Sequence, residues 1–159
     1  MKQYVECASP IGRLLVVAEG KAVTEIHFPN KRVRPARDWE EGSPLLRRAA
    51  KQLEQYFAGR RKAFDLPLEP RGTEFQRAVW AELQRIDYGG TVSYGELATR
   101  IARPKAVRAV GAANGANPIP IVIPCHRVIG ANGKLTGFGG GLPTKKKLLA
   151  LESGAALSA

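Results

Sequence analysis

The chain has 159 residues, 44% of them hydrophobic, enough for one domain or a close pair of subdomains around a real core, and no apolar run nears the roughly 20 residues that span a bilayer. Its 25 Lys and Arg against 14 Asp and Glu leave a net charge of +11, which favours a polyanionic partner, most simply nucleic acid. The N-terminus MKQYVECASP has no apolar signal core, so the chain reads as cytoplasmic and its two cysteines as reduced thiols rather than a disulfide framework.

The first third reads as a β meander. Residues 3–8, 12–18 and 22–28 are strand candidates, turned by Pro10-Ile11-Gly12 and Glu19-Gly20-Lys21. Residues 29–42 are charged and proline-containing and read as a loop. Ser43-Pro44 opens a helix, with serine as N-cap and proline at the first helical position. Leu45, Leu46, Ala49, Ala50, Leu53, Tyr56 and Phe57 form its apolar face, and Gly59 ends it. Ala63 to Leu68 reads as an edge strand.

The second half reads as helix and loop. Thr73 to Gln76 is a capping box, followed by Phe75, Val79, Leu83 and Ile86 at helical spacing. Ser93 to Glu96 is another capping box, opening a short helix to about Ala102. Arg103-Pro104 breaks it, and Lys105 to Asn114 reads as a second short helix. The pair resembles a helix-turn-helix unit. Pro118 to Pro124 reads as extended, residues 130–141 as glycine-rich loops, and Pro143 to Ser153 as a last helix. The expected fold class is α+β. A small β-sheet subdomain with one helix occupies residues 1–70. A mostly helical subdomain, residues 71–159, carries the helix-turn-helix and the active-site loop.

Two features stand out chemically. The helix PKAVRAVGAANG has few bulky side chains, and Arg108 stands out among its small residues as a long, charged group. Such a helix either packs tightly inside the fold or brings its backbone close to a phosphodiester; the net charge favours the second. The other feature is IPIVIPCHRVIG, where a β-branched run ends at Pro124 and is followed by Cys125, His126 and Arg127. An isolated cysteine is commonly a buried small hydrophobe. A basic neighbourhood instead favours the nucleophilic thiolate. On an extended chain, adjacent residues face opposite ways, so Cys125 and His126 need a turn or a bridging water to cooperate. A histidine acting as base needs an orienting carboxylate, and spacing does not choose among Glu74, Glu82, Asp87, Glu96 and Glu152. The soft metal ligands are Cys7, Cys125, His27 and His126 alone, without CxxC or HxxxH spacing, so no metal site is expected.

Pro124-Cys125-His126-Arg127-Val128 resembles the active-site motif of the O6-alkylguanine-DNA alkyltransferases. Further stretches resemble that family's signatures in the family's order: Gly72 to Arg77 with Val79-Trp80, Val92 to Ala98, Arg108 to Gly111, Asn117 to Pro120, and Gly140 to Leu142. The likeness is specific over residues 72–152 and looser before them. It implies DNA repair by direct, irreversible transfer of an alkyl group from guanine O6 to a cysteine, after the nucleotide is flipped out through the minor groove. It implies Cys125 as acceptor and His126 as its base through a water. Glu152 would orient His126, and Asn117 would brace the Cys125 segment. Tyr94 would help rotate the nucleotide. The backbone carbonyls of Cys125 and Val128 would read the guanine amine, and Gly139 and Gly140 would line the substrate site. Arg108 would fill the gap left by the flipped base, with Lys105, Ala106 and Gly111 against the DNA.

The implied partner is double-stranded DNA carrying an alkylated guanine, bound by a monomer without sequence preference. No cofactor is implied, and each molecule would act once, because a thioether is not readily displaced. Gly139 and Phe138 depart from the serine and tyrosine of several relatives, leaving one donor fewer near O6 and more room. The resemblance ranks neither methyl against larger groups nor guanine against O4-alkylthymine, and leaves open cooperative binding along DNA. A damage-sensing relative that binds without transfer is the alternative. Such relatives lack the cysteine, which this chain has.

Overall fold

The computed structural model describes residues 1–154. Its N-terminal part is a four-stranded sheet of order β3-β2-β1-β4: β1 Lys2–Cys7, β2 Leu14–Glu19, β3 Ala22–His27 and β4 Glu40–Glu41. The first three strands form the expected antiparallel meander, with Val5 opposite Val16 and Val16 opposite Ile26. The turn before β2 needs glycine: Gly12 has φ 105°, and an added Cβ would lie 2.7 Å from Pro29 Cγ. Helix α1, Pro44–Phe57, is capped by the Ser43 side chain, which accepts from Leu46 N. It buries Leu46, Ala49, Leu53, Tyr56 and Phe57. Each large side chain of that stripe contributes about 1.5–3 kcal/mol.

The C-terminal part comprises α2 Glu74–Leu83, α3 Tyr94–Arg100, α4 Val107–Gly115 and α5 Leu142–Glu152. The capping boxes at Thr73 and Ser93 are both formed. Trp80 of α2 is fully buried and donates from Nε1 to Ala113 O of α4 at 2.8 Å, which locks the helix-turn-helix onto the core. The two parts share one apolar core, in which Val16 and Leu53 sit with Val79, Leu97, Ile119 and Leu148. The fold is α+β, as expected.

Several segments differ from their sequence reading. Residues 29–42 hold a 3-10 turn at Pro29–Lys31 and the short strand β4, which pairs with β1 in parallel. Residues 63–68 are not a strand. Only Leu68 bridges β3, at Val23, because the chain passes the sheet edge once and leaves. Helix α2 ends at Leu83, and Ile86 is buried from the turn that follows. Residues 118–124 are not extended: Ile123 N donates to Ile119 O at 2.9 Å, and Ile121 has φ 75°. A two-residue parallel ladder joins β5, Val92–Ser93, to β6, Val128–Ile129. It seats the start of α3, and so Tyr94, beside the segment that follows Cys125.

Candidate active site

The turn at 118–124 is built by one side chain. Asn117 Nδ2 donates to Ile123 O at 2.7 Å, and Asn117 Oδ1 accepts from Ile119 N at 3.0 Å. Pro118 and Pro120 have no N–H to lose there. Ile119, Ile121 and Ile123 are almost fully buried and anchor the turn from below. A β-branched residue in the left-handed region stores about 1–3 kcal/mol of strain, which persists only where its surroundings over-determine it. The chain then enters a 3-10 turn at Cys125–Arg127. Cys125 and His126 are thus on a tight turn rather than an extended strand.

His126 is completely buried. Its Nε2 lies 2.7 Å from Glu152 Oε2. Burial depresses its proton affinity, against the opposing pull of Glu152, so the ring is neutral near pH 7. A nitrogen that close to a carboxylate carries the hydrogen, which leaves Nδ1 with a free lone pair. That Nδ1 is buried and has no hydrogen-bond partner among the described residues. Glu152 is held by more than His126. Arg127 donates from Nε to Oε1 at 2.7 Å and from a terminal nitrogen to Oε2 at 3.0 Å. Tyr56 donates its hydroxyl to Oε2 at 2.6 Å. Burial alone would raise the Glu152 carboxyl, but the hydrogen bonds from His126, Arg127 and Tyr56 bring it down to about 2. With His126 neutral, the Arg127 fork is the charged partner that keeps Glu152 ionised.

Cys125 is buried. The expectation that basic neighbours favour its thiolate is reversed in the resting site. Burial, the largest influence, pushes the thiol up to about 11, and hydrogen bonding from Asn117 and the nearby Lys145 charge oppose it only in part. The sequence neighbours turn elsewhere: His126 and Arg127 both face Glu152. The thiol opens onto a cavity of about 400 Å³ that Asn117, Pro120, Phe138 and Gly139 also line, a size suited to a small-molecule group.

The other residues singled out from sequence are placed as follows. Gly139 lines the cavity, and its carbonyl accepts from Asn30 at 3.0 Å. Gly140 serves packing: an added Cβ would meet the Phe28 and Phe138 rings at 2.9–3.0 Å. Tyr94 does not line this cavity; its hydroxyl pairs with Thr136 Oγ1 at 2.7 Å. Gly111 packs beneath that ring, with an added Cβ 3.8 Å from it. Val128 is buried, and its carbonyl already accepts from Lys145 Nζ at 2.6 Å. The Cys125 carbonyl accepts from the Val128 N–H and from Asn114 Nδ2 at 3.4 Å. Arg108 and Lys105 are exposed at the start of α4 with Ala106 half-buried between them, and none of the three lines the thiol cavity. Among the described residues, no group of three or more His, Cys, Asp or Glu is placed to hold a metal ion, and no helix is long and apolar enough to cross a membrane.

Sequence reasoning passed over Tyr56, Arg127 as a buried fork, Asn114 and Lys145. Tyr56 looked like an ordinary core aromatic on α1. Lys145 carried a readable signal: it stands two helical turns before Glu152 on the face that buries Leu148 and Leu151. A lysine on an apolar face is seldom fully buried without an acceptor.

Comparisons with known proteins agree with this geometry. Residues 3–70 match the family model for the 6-O-methylguanine DNA methyltransferase ribonuclease-like domain, and residues 74–154 that for its DNA binding domain. A methylated-DNA–protein-cysteine methyltransferase of Methanosarcina acetivorans is 50% identical over 94% of this chain and 97% of its own length. One from Mycolicibacterium paratuberculosis is 52% identical over 96% and 93%. The crystal structure of Mycobacterium tuberculosis O6-methylguanine methyltransferase has a TM-score of 0.89 and 47% identity, covering 100% of this chain and 97% of that one. The same organism's OGT in complex with DNA gives 0.87 and 45%, covering 99% and 95%. With both halves matched in order and a thiol beside a buried His–Glu pair, the chain belongs to the 6-O-methylguanine DNA methyltransferase family.

Proposed function

We propose that the protein repairs DNA by moving an alkyl group from guanine O6 onto the sulfur of Cys125. The observation that carries this reading is the Cys125 thiol, opening onto a cavity and backed by a buried His126 whose free Nδ1 is a base held in place by Glu152. His126 takes the thiol proton through a water. The sulfur attacks the alkyl carbon in line, an S–C bond forms and the C–O6 bond breaks. The electron pair stays on the guanine oxygen, and the proton that left the thiol ends on guanine. Because the resting thiol is pushed up to about 11, the thiolate forms only as the proton is drawn off, which protects the sulfur between encounters. Asn117 and Lys145 stabilise that thiolate once formed. The product is a thioether, so each molecule acts once and needs no cofactor.

DNA is the partner. Helix α4 enters the minor groove, where its small residues Ala106 and Gly111 permit close approach and Lys105 meets a phosphate. Arg108 takes the place of the extruded nucleotide, and Tyr94 guides it. One molecule suffices per lesion, with residues 71–159 doing the binding and transfer and residues 1–70 supporting them. Incubation with duplex DNA containing O6-methylguanine should add the mass of one methyl group to the peptide carrying Cys125. A Cys125→Ala protein that still restores guanine would sink the assignment.

A further inference from the structure

The cavity lined by Cys125 borders the C-terminal end of α4. It is bounded by Asn114 and Gly115, the last of which lies seven residues beyond Arg108, about 10 Å along the helix axis. Its far wall comes from the other half of the molecule, from Phe28, Lys31 and Val33. Neither Tyr94 nor Arg108 contributes to it. In an in-line displacement, sulfur, carbon and O6 are collinear, so whatever else that carbon carries must project sideways. The cavity is the space beside the sulfur, shared by the extruded base and whatever its O6 carries. A methyl group needs almost none of it.

The wall of this space mixes apolar residues with Glu25, His27, Asn114 and Asn117, and Lys31 is its one lysine. Gly137 and Gly139 add no side chain, and an added Cβ at Gly139 would meet Lys31 Cε at 3.9 Å. The Lys31 side chain thus runs along the side of the cavity that a side chain at 139 would face. Its backbone is fixed. Lys31 N donates to Phe28 O at 3.1 Å, Arg32 closes the turn at φ 52°, and Asn30 holds Gly139 O at 3.0 Å. Among the described residues, no ion pair engages Lys31. The one carboxylate lining the cavity, Glu25, is already satisfied by Lys2 at 2.9 Å and His27 at 2.8 Å. An unpaired cation faces a cavity able to hold more than a methyl group.

We propose that Lys31 sets substrate preference, selecting O6 substituents that end in an anion over neutral ones of the same size. This rests on Cys125 being the alkyl acceptor. For a carboxymethyl group, the S–CH2 bond forms, the CH2–O6 bond breaks, and the pair stays on the guanine oxygen. The thiol proton ends on guanine, and the carboxylate remains ionised against Lys31 throughout.

The test uses three duplexes of one sequence, carrying O6-methylguanine, O6-carboxymethylguanine or its neutral isostere O6-carbamoylmethylguanine. Second-order rates of protein alkylation are measured for the unaltered protein, Lys31→Gln and Lys31→Glu. Lys31 is exposed, so both variants should fold. The carboxymethyl-to-carbamoylmethyl rate ratio should fall about fivefold in Lys31→Gln, the size expected for a part-solvated ion pair. It should fall further in Lys31→Glu, while the methyl rate stays unchanged in Lys31→Gln. A ratio that does not move overturns the proposal. Equal slowing of all three duplexes also overturns it, and assigns Lys31 to a DNA phosphate instead. Failure of the unaltered protein to take up methyl would count against the alkyl-transfer reading itself, which separates the two failures.

Discussion

Tyr56 and His126 donate to the same oxygen of Glu152, one from each half of the chain. A carboxylate oxygen shared in this way draws less strongly on the imidazole proton. In Tyr56→Phe, Glu152 Oε2 should pull harder on the ring and raise the proton affinity of His126. The acid limb of the pH–rate profile should then move to higher pH, a change that a purely structural loss would not produce. The lost hydrogen bond to a charged group should also cost about 1.5–3 kcal/mol in urea unfolding. Glu152 and His126 both make stability pH-dependent. Glu152 is held at about 2 in the fold, below its unfolded value. Its contribution is therefore present above that unfolded value and is lost as pH falls toward 2. His126 is depressed by burial, so the unfolded chain takes up its proton first, and stability again falls with pH. Thermal melts should show stability declining steadily from about pH 6 downward. In Glu152→Gln the low-pH part of that slope should flatten, while overall stability drops by about 3–5 kcal/mol, because the buried Arg127 loses its partner.

Cys125 and His126 were legible at this scale because an isolated thiol, an imidazole and a guanidinium in succession are unusual after a buried run. The protonated state of the thiol was not legible, since it depends on burial and on Lys145, which is distant in sequence. Glu152 could be singled out only through the resemblance. Spacing left five carboxylates open, and the choice rests on a helix end 26 residues away folding back onto His126.

Among the elements, α1, α2 and α3 could be read because their caps and apolar stripes are local: Ser43, Thr73 and Ser93 each accept from a backbone N–H three residues on. The β5–β6 ladder could not be read, since two residues carry no period and the partners are 36 positions apart, Val92 with Val128. The turn at 118–124 looked extended because its alternating prolines and isoleucines mimic a strand. The Asn117 clamp that bends it is a side-chain effect that periodicity does not see. Helix α4 remained ambiguous between packing and DNA contact, and the structure accommodates both: Val110 and Ala113 are buried while Arg108 is exposed. Arg108→Ala should therefore slow repair of duplex O6-methylguanine far more than reaction with free O6-benzylguanine, which needs no extrusion. Equal losses on both substrates would remove the role assigned to this side chain.

Across the whole molecule, the N-terminal half supports the site through specific hydrogen bonds. It contributes Tyr56 to Glu152, Asn30 to the Gly139 carbonyl, and Ile26 N to Pro118 O at 2.8 Å. These contacts tie the N-terminal half to Glu152, to the Gly139 carbonyl and to the start of the 118–124 turn. The +11 charge acts on the same scale. Binding to undamaged duplex should weaken steeply as salt rises and vary little with sequence, because phosphate contacts release counterions without reading bases. A titration of fluorescent duplex between low and physiological salt would measure the slope. The chemistry at the centre is a single use of one sulfur, and stoichiometry tests it most directly. With a large excess of O6-methylguanine duplex, guanine should be restored to one equivalent per protein molecule and then stop, with the methyl retained on Cys125. Continued restoration beyond one equivalent, or restoration with Cys125 unmodified, would contradict the account.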